Sequence, residues 1–360
     1  MNFNRKLVLA DGTVFPGNGF GSKREVSCEV IFHTGMTGYQ NVLTDPSYSN
    51  QMVAMTYPMI GNYGISSDDC ESLKNGAAAL IVKEYCEVPS NWQSIKSLDE
   101  FLKERNIPGL CDVDTRELTI KIREQGTVKG IIVDMNVSDE EALAKLNSAP
   151  LVNDHVKQVS LQEPYVVAVE DKKFRVVYMA FGASEESIIN ELVKRDCDVI
   201  VVPHSVSAEY IEALSPDGVM LGNGPGNPAD LPEVLSVIGK IQMKYPMFAV
   251  CLGHQLFALA NGATTSKMKF GHHGENVPIK DIATERVLIT SQNHSYQVDA
   301  DSLAGTELEL THYAINDNTV QGVKHKQHPA FSVQFLPEIH TGPQDSKYLF
   351  DQFIESLGAN

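Results

Sequence analysis

Apolar positions in the first hundred residues come in short runs broken by turn residues. Examples are Thr13-Val14-Phe15 ahead of Pro16-Gly17, Glu29-Val30-Ile31-Phe32, and Met52-Val53-Ala54-Met55-Thr56 ahead of Tyr57-Pro58. Short runs rich in β-branched and aromatic residues predict strands, so this region reads as strand-rich. The period lengthens at Ser97 to Arg105 and at Asp114 to Glu124, where Asp114 or Thr115 can cap a helix carrying Leu118, Ile120 and Ile122. A further acidic helix start, Ser138-Asp139-Glu140-Glu141, leads into Leu143 and Leu146. Periodicity then fades between Pro150 and Lys173, before the apolar run Arg175-Val176-Val177-Tyr178-Met179. The expected organisation is a domain over 1–150, a linker over 151–172 and a second domain over 173–360.

From residue 174 onward the two periods alternate. Strands are expected at Val176–Met179, Val199–Val202, Gly218–Leu221 and Phe248–Val250, with helices at Glu185–Arg195, Ala208–Leu214, Leu231–Lys244 and His254–Ala260. Such repetition predicts βαβ units around a parallel sheet. The fold class is therefore α/β, a strand-rich amino-terminal domain followed by an open, mostly parallel sheet. In sheets of that kind ligands gather beyond the carboxyl ends of the strands, and the residues just after each strand become the candidates for chemistry.

Composition narrows the function classes. Against 46 Asp and Glu stand 29 Lys and Arg, a formal charge of -17, which repels a phosphate backbone or an anionic membrane. Neither nucleic acid nor membrane is an expected partner. Six cysteines without a C-x-x-C pair suit a reducing compartment, and the short apolar stretch Leu7–Ala10 does not make a signal peptide, so a cytoplasmic location is expected.

One cysteine stands out. Cys251 follows the strand ending at Val250 and precedes a helix, with Ala249 and Gly253 two positions to either side. Small flanking residues permit a sharp strand-to-helix elbow, and a helix amino terminus favours the reactive thiolate. A second loop, Gly222-Asn223-Gly224-Pro225-Gly226-Asn227-Pro228, follows the strand ending at Leu221. A backbone N–H from it, together with that of Leu252, could stabilise the oxyanion of a tetrahedral acyl intermediate. The loop lacks the lysine and hydroxyl residue of a phosphate-binding P-loop.

At these residues the chain resembles a known family. Asn223-Gly224-Pro225-Gly226 and Cys251-Leu252-Gly253-His254-Gln255 are similar to the motifs of class I glutamine amidotransferases. Lys267 to Gly274, Gln292-Asn293-His294, and the amino-terminal stretches Met36 to Gln40, Leu43 to Tyr48 and Asp112 to Arg116 narrow the resemblance to the small, glutamine-hydrolysing subunits of carbamoyl-phosphate synthetases. The resemblance covers essentially the whole chain. It implies release of ammonia from L-glutamine through a Cys251 thioester and its passage through a tunnel to a large subunit that makes carbamoyl phosphate for arginine or pyrimidine synthesis. No cofactor is implied in this chain; ATP and Mg belong to the large subunit. Matched position by position, Cys251 is the nucleophile and Gly224 and Leu252 supply the oxyanion N–H groups. Ser47, Gly226, Gln255, Asn293, Ser295 and Tyr296 surround the substrate. An anthranilate synthase type of partner is disfavoured by the additional amino-terminal domain.

Two stretches depart from the family pattern. Its third motif has the form Q-x-H-P-E and supplies the histidine and glutamate of the catalytic triad, whereas this chain reads Gln334-Phe335-Leu336-Pro337-Glu338. Leucine carries no proton, so Glu338 has no imidazole to orient and general acid–base catalysis worth about 10²- to 10⁴-fold is absent at that position. His340 lies near in sequence, but productive geometry for rescue is exacting. The second departure is Ala180-Phe181-Gly182-Ala183-Ser184-Glu185-Glu186, where the family has D-[FY]-G-x-K-x-N; Ser184 is expected to cap the following helix. His254 and His294 fit the family pattern without being its base. The adjacent His272 and His273 are read as structural, with no metal site. Two expectations follow: a glutaminase subunit weakened at Leu336, or a glutaminase-deficient structural or regulatory subunit of an ammonia-using synthetase.

Overall fold

The computed structural model describes residues 3–67, 69–72, 74, 76–150, 152–339 and 342–358. Residues 1–152 and 153–360 form two compact units. His340 lies outside the described residues.

In the first unit seven strands close into a barrel. Their order is Arg5–Leu9, Val14–Gly21, Pro108–Cys111, Ala79–Ile81, Gln51–Met55, Val26–His33 and Val128–Asp134, and the last pairs back onto the first. Closure leaves no open sheet edge. The predicted helix starts are where the polar residues put them. Ser97 and Glu100 form a reciprocal capping box for Leu98–Glu104, Asp114 accepts from the Glu117 N–H ahead of Thr115–Gln125, and Ser138 does the same for Asp139–Ser148. Within Thr115–Gln125 the buried face is Leu118 and Ile122, four apart, while Ile120 faces solvent.

The second unit is built on a ten-stranded sheet. Its centre is parallel, in the order Cys197–Pro203, Phe174–Ala180, Gly218–Leu221, Met247–Val250 and Ala330–Val333. The sheet continues antiparallel through Val320–His325, Leu308–Ala314, Thr265–Asp281 and Val287–Val298. Successive residues of one strand feed opposite cores. Val177 and Met179 pack with helices Ala208–Ala213, Pro232–Ile241 and Leu252–Ala260, whereas Val176, Tyr178 and Ala180 pack with Glu185–Val193 and Tyr348–Leu357. Helices on both faces of a parallel centre make this a doubly wound α/β unit.

The stretch read as a linker is not free chain. His155–Val159 is a helix with Val156 and Val159 buried, and Tyr165–Val167 pairs antiparallel with Cys197–Pro203 as an edge strand. Tyr165 and Val166 are both exposed, so no alternation marked the strand in advance.

Polar groups fasten the terminal helix. Glu191, 2% exposed, meets Lys194 at 2.9 Å, Arg195 at 2.9 Å and Lys347 at 2.8 Å, and Arg195 also holds Asp351 at 2.6 Å. Burial opposes ionisation of Glu191, but the three cations outweigh it and bring its pKa down from 4.5 to about 2. A carboxyl depressed on folding stabilises above its unfolded pKa. Glu191→Gln should therefore lower stability at neutral pH by about 2 kcal/mol, allowing for the partly exposed cations. The difference should shrink as pH falls from about 4.5 to about 2. Urea unfolding across that range checks this, and superimposable curves for variant and parent at pH 7 would refute it.

Candidate active site

Met247–Val250 lies between two parallel neighbours, so its carboxyl end opens where crossovers leave the sheet. Cys251 sits there with φ 53° and ψ −105°, a backbone conformation that a non-glycine residue adopts only when its surroundings enforce it. The enforcement is visible. Its N–H donates to the Val333 carbonyl at 2.9 Å, and the Gly253 N–H donates to the Gly222 carbonyl at 3.0 Å. A Cβ on Gly253 would stand 2.6 Å from the Leu221 carbonyl oxygen, so only glycine lets the helix Leu252–Ala260 start this close to the neighbouring strand. Cys251 is 2% exposed and occupies the N-cap position of that helix.

Around the sulfur the second unit gathers several of the expected residues. The thiol donates toward the Asn293 carbonyl at 3.6 Å. Gln334, fully buried, points its Nε2 at the sulfur at 3.7 Å and accepts at Oε1 from Gln255 Nε2 at 2.9 Å. Gln255 Nε2 also donates to the Tyr296 carbonyl at 2.8 Å. Ser295 and Tyr296 are half-buried on the same strand, Val287–Val298. The sequence reading gave Gln334 no role, although it is the first residue of the motif that ends at Glu338.

The glycine loop is less simply arranged. Gly224 packs tightly, with an added Cβ 2.6 Å from Phe181 Cβ, and its N–H donates to Asn223 Oδ1 at 2.7 Å. The expected oxyanion donor is thus engaged by its neighbour's side chain, which must swing aside before that N–H can meet a ligand. Gly226 is exposed at φ 94°, against His155. Ser184 does not cap its helix. It has φ 54°, makes no cap bond and accepts weakly from Asn223 Nδ2 at 3.4 Å. The Ala183 N–H donates to the Asn223 carbonyl, which stitches the two post-strand loops together.

Leu336 is 2% exposed and Glu338 is fully buried. Leu336 donates its N–H to the Ser291 carbonyl at 2.9 Å and belongs to the same apolar cluster as Cys251, Val333 and Phe335. Ser47 lies in the first unit, in the short turn Pro46–Tyr48, where its hydroxyl donates to Asp45 Oδ2 at 2.6 Å and its N–H to Asp45 Oδ1 at 2.9 Å.

The histidines near this strand are held in side-chain contacts. His254 Nδ1 meets Ser332 Oγ at 2.8 Å, and burial pushes the imidazole down to a pKa of about 3. His294 is likewise held far below its ordinary value, by burial first and by neighbouring His272 second. His272 lies between Gln292 and Asp317, and His273 Nδ1 meets Asn293 Oδ1 at 2.6 Å.

The second unit is of the class I glutamine amidotransferase kind: residues 177–356 match the family model described by that name. Residues 7–132 match the model for the carbamoyl-phosphate synthase small chain, CPSase domain. The carbamoyl phosphate synthase small chain of Bacillus thuringiensis subsp. konkukian is 54% identical over 353 residues, covering 98% of this chain and 96% of its own length. That of Oceanobacillus iheyensis is 51% identical over 356 residues, 99% of this chain and 96% of its own. The pyrimidine-specific small chain of Bacillus subtilis is 52% identical over 353 residues, 98% of this chain and 96% of its own. The chain belongs to the carbamoyl phosphate synthase small chain family, as the motifs around Cys251 and in the amino-terminal half had implied. No helix among the described residues is long and apolar enough to cross a membrane.

Proposed function

We propose that this chain is the glutamine-binding subunit of a two-subunit carbamoyl phosphate synthase, passing ammonia to an ATP-dependent large subunit, and that Leu336 restricts its own hydrolysis of glutamine to a residual rate. Attack of the Cys251 sulfur on the carboxamide carbon forms a C–S bond. The C–N bond breaks only as the nitrogen gains a proton and leaves as ammonia. The thioester then needs an activated water. Both steps call for a group that takes and returns a proton beside the sulfur. The observation that carries the reading is a buried leucine in the apolar cluster that contains Cys251, at the motif position of that group. Gln334 touches the sulfur, but a neutral amide does not exchange protons at useful rates near pH 7. Oxyanion stabilisation and binding support residual turnover on the order of 10³-fold over water.

The supporting features divide between the two halves of the proposal. The strained elbow and the ordered Gln255, Gln334 and Asn293 favour retained binding; Leu336 and the engaged Gly224 N–H favour slow chemistry. The second reading, a subunit that only stabilises or regulates an ammonia-fed synthetase, rests on the same Leu336 and lacks a use for the elbow. Reconstitution with a carbamoyl phosphate synthase large chain separates them. Synthesis with saturating ammonia is expected to proceed at least about 100-fold faster than with glutamine, and glutamine should still protect Cys251 from alkylation. Equal rates with the two nitrogen donors would refute the restriction at Leu336, and absence of protection would leave the purely structural reading.

A further inference from the structure

A chain of hydrogen bonds runs from the surface of the second unit to the sulfur of Cys251. Asp317, with a side chain 38% exposed, meets His272 Nε2 at 2.8 Å. His272 Nδ1 and His294 Nε2 both lie 2.9 Å from the same end of the Gln292 amide. His294 Nδ1 lies 2.7 Å from the Tyr296 carbonyl, which also accepts from Gln255. Gln255 continues to Gln334, and Gln334 to Cys251 Sγ.

Donor and acceptor roles along this chain fix one another. A carbonyl only accepts, so His294 carries a proton on Nδ1, and a carboxylate only accepts, so His272 carries one on Nε2. If both rings are neutral, His294 Nε2 and His272 Nδ1 each offer a lone pair to the Gln292 amide. An oxygen there would face two lone pairs. An NH₂ group satisfies both, and the oxygen and nitrogen of an amide are interchangeable at these positions. Thr290 Oγ1, 3.0 Å from the other end of the amide, then donates to the Gln292 oxygen in place of the Val277 carbonyl. The alternative needs two imidazolium rings 5.1 Å apart in a buried setting, where burial already drives His294 toward neutrality.

We propose that Asp317 is a positioning residue for Cys251: by fixing the His272 proton on Nε2 it orients, through Gln292, His294, Tyr296, Gln255 and Gln334, the N–H that faces the sulfur. The inference deepens the reading of Cys251 as a nucleophile and rests on it. An N–H aimed at sulfur favours thiolate over thiol, so a disordered chain should leave a less reactive Cys251. Asp317 also holds its own turn, accepting at Oδ1 from the Thr319 N–H and hydroxyl, and a test must separate the two roles.

The test uses the full chain, with histidine ¹⁵N spectra for tautomers and mass spectrometry for the rate of Cys251 alkylation by iodoacetamide and by a diazoketone analogue of glutamine. In the parent, His272 is expected as the Nε2–H tautomer and His294 as Nδ1–H. Asp317→Leu should mix the His272 tautomers and slow both alkylations at least threefold. Asp317→Asn, which keeps an acceptor, should restore them to within twofold. Thr319→Val, which loosens the turn without touching His272, should match the parent. A parent His272 protonated on Nδ1 overturns the proposal, as does an Asp317→Leu variant with unchanged alkylation or a Thr319→Val variant that falls equally. If the diazoketone fails to label the parent while iodoacetamide succeeds, the glutamine reading fails, and the iodoacetamide rates still decide the role of Asp317.

Discussion

Leu336→His is expected to raise glutamine hydrolysis by the reconstituted complex about 10²- to 10⁴-fold, the range for a positioned general acid–base. The place is prepared for it. Leu336 hangs from the Ser291 carbonyl by its own N–H, just beyond the strand that receives the Cys251 N–H, and Glu338 lies buried two residues on. Leucine and histidine have similar volumes, so the imidazole needs no new cavity. Its demand for a hydrogen-bond partner in a buried site is what Glu338 meets in the family pattern. Steady-state ammonia release from glutamine measures the effect, with Cys251→Ser in the same background as control. A folded Leu336→His complex with the parent's turnover would show that proton transfer is not what limits this chain, and the gain should vanish with Cys251→Ser.

The largest loss of stability is expected from Phe248→Ala. Phe248 is fully buried in the strand that carries Cys251, stacked on Phe331 with ring centroids 4.6 Å apart and edge-on to Phe350 at 5.5 Å. Removing the ring forfeits its burial, its aromatic contacts and the packing of the terminal helix, about 3–5 kcal/mol. For a unit of this size that corresponds to a fall in melting temperature of roughly 6–20 °C. Scanning calorimetry should show the loss in the transition of the second unit. A fall under about 3 °C would mean that Phe331 and Phe350 collapse into the space.

What could be read from sequence follows from where the physical signal is local. Helix starts at Ser97, Asp114 and Ser138 were legible because a cap is a contact across three residues. The strands and helices from Val176 to Ala260 were legible because each buries a periodic face. The antiparallel half of the sheet left no such trace. The long hairpin Thr265–Asp281 with Val287–Val298 contains irregular register, and residues such as Lys267, His272 and Asn293 obey no simple alternation. Closure of the first unit into a barrel is a property of pairing between Arg5–Leu9 and Val128–Asp134, distant in sequence. At the site, Cys251 and Gly253 declared the elbow by residue type. Gln334 and Asp317 did not, because their roles are defined by neighbours that only the fold brings close. Ser184 looked like a cap by type, yet a positive φ turned its hydroxyl away from the helix and toward Asn223.

The backbone of Cys251 gives a different kind of information. A left-handed, non-glycine elbow is strained by about 1–3 kcal/mol, and the groups that hold it, Val333, Gly222 and Gly253, do so without help from residue 336. The machinery of such a site therefore has two separable parts: a scaffold distributed over three strands and a proton carrier confined to one side chain. Only the second has been exchanged. Drift away from catalysis would be expected to relax the scaffold, since relaxation alone would add stability, and a relaxed elbow could be regained only through several coordinated changes. A chain that keeps the tension while lacking the carrier stands a short mutational path from full chemistry, and selection on the pocket's shape has evidently outlasted any change in its rate.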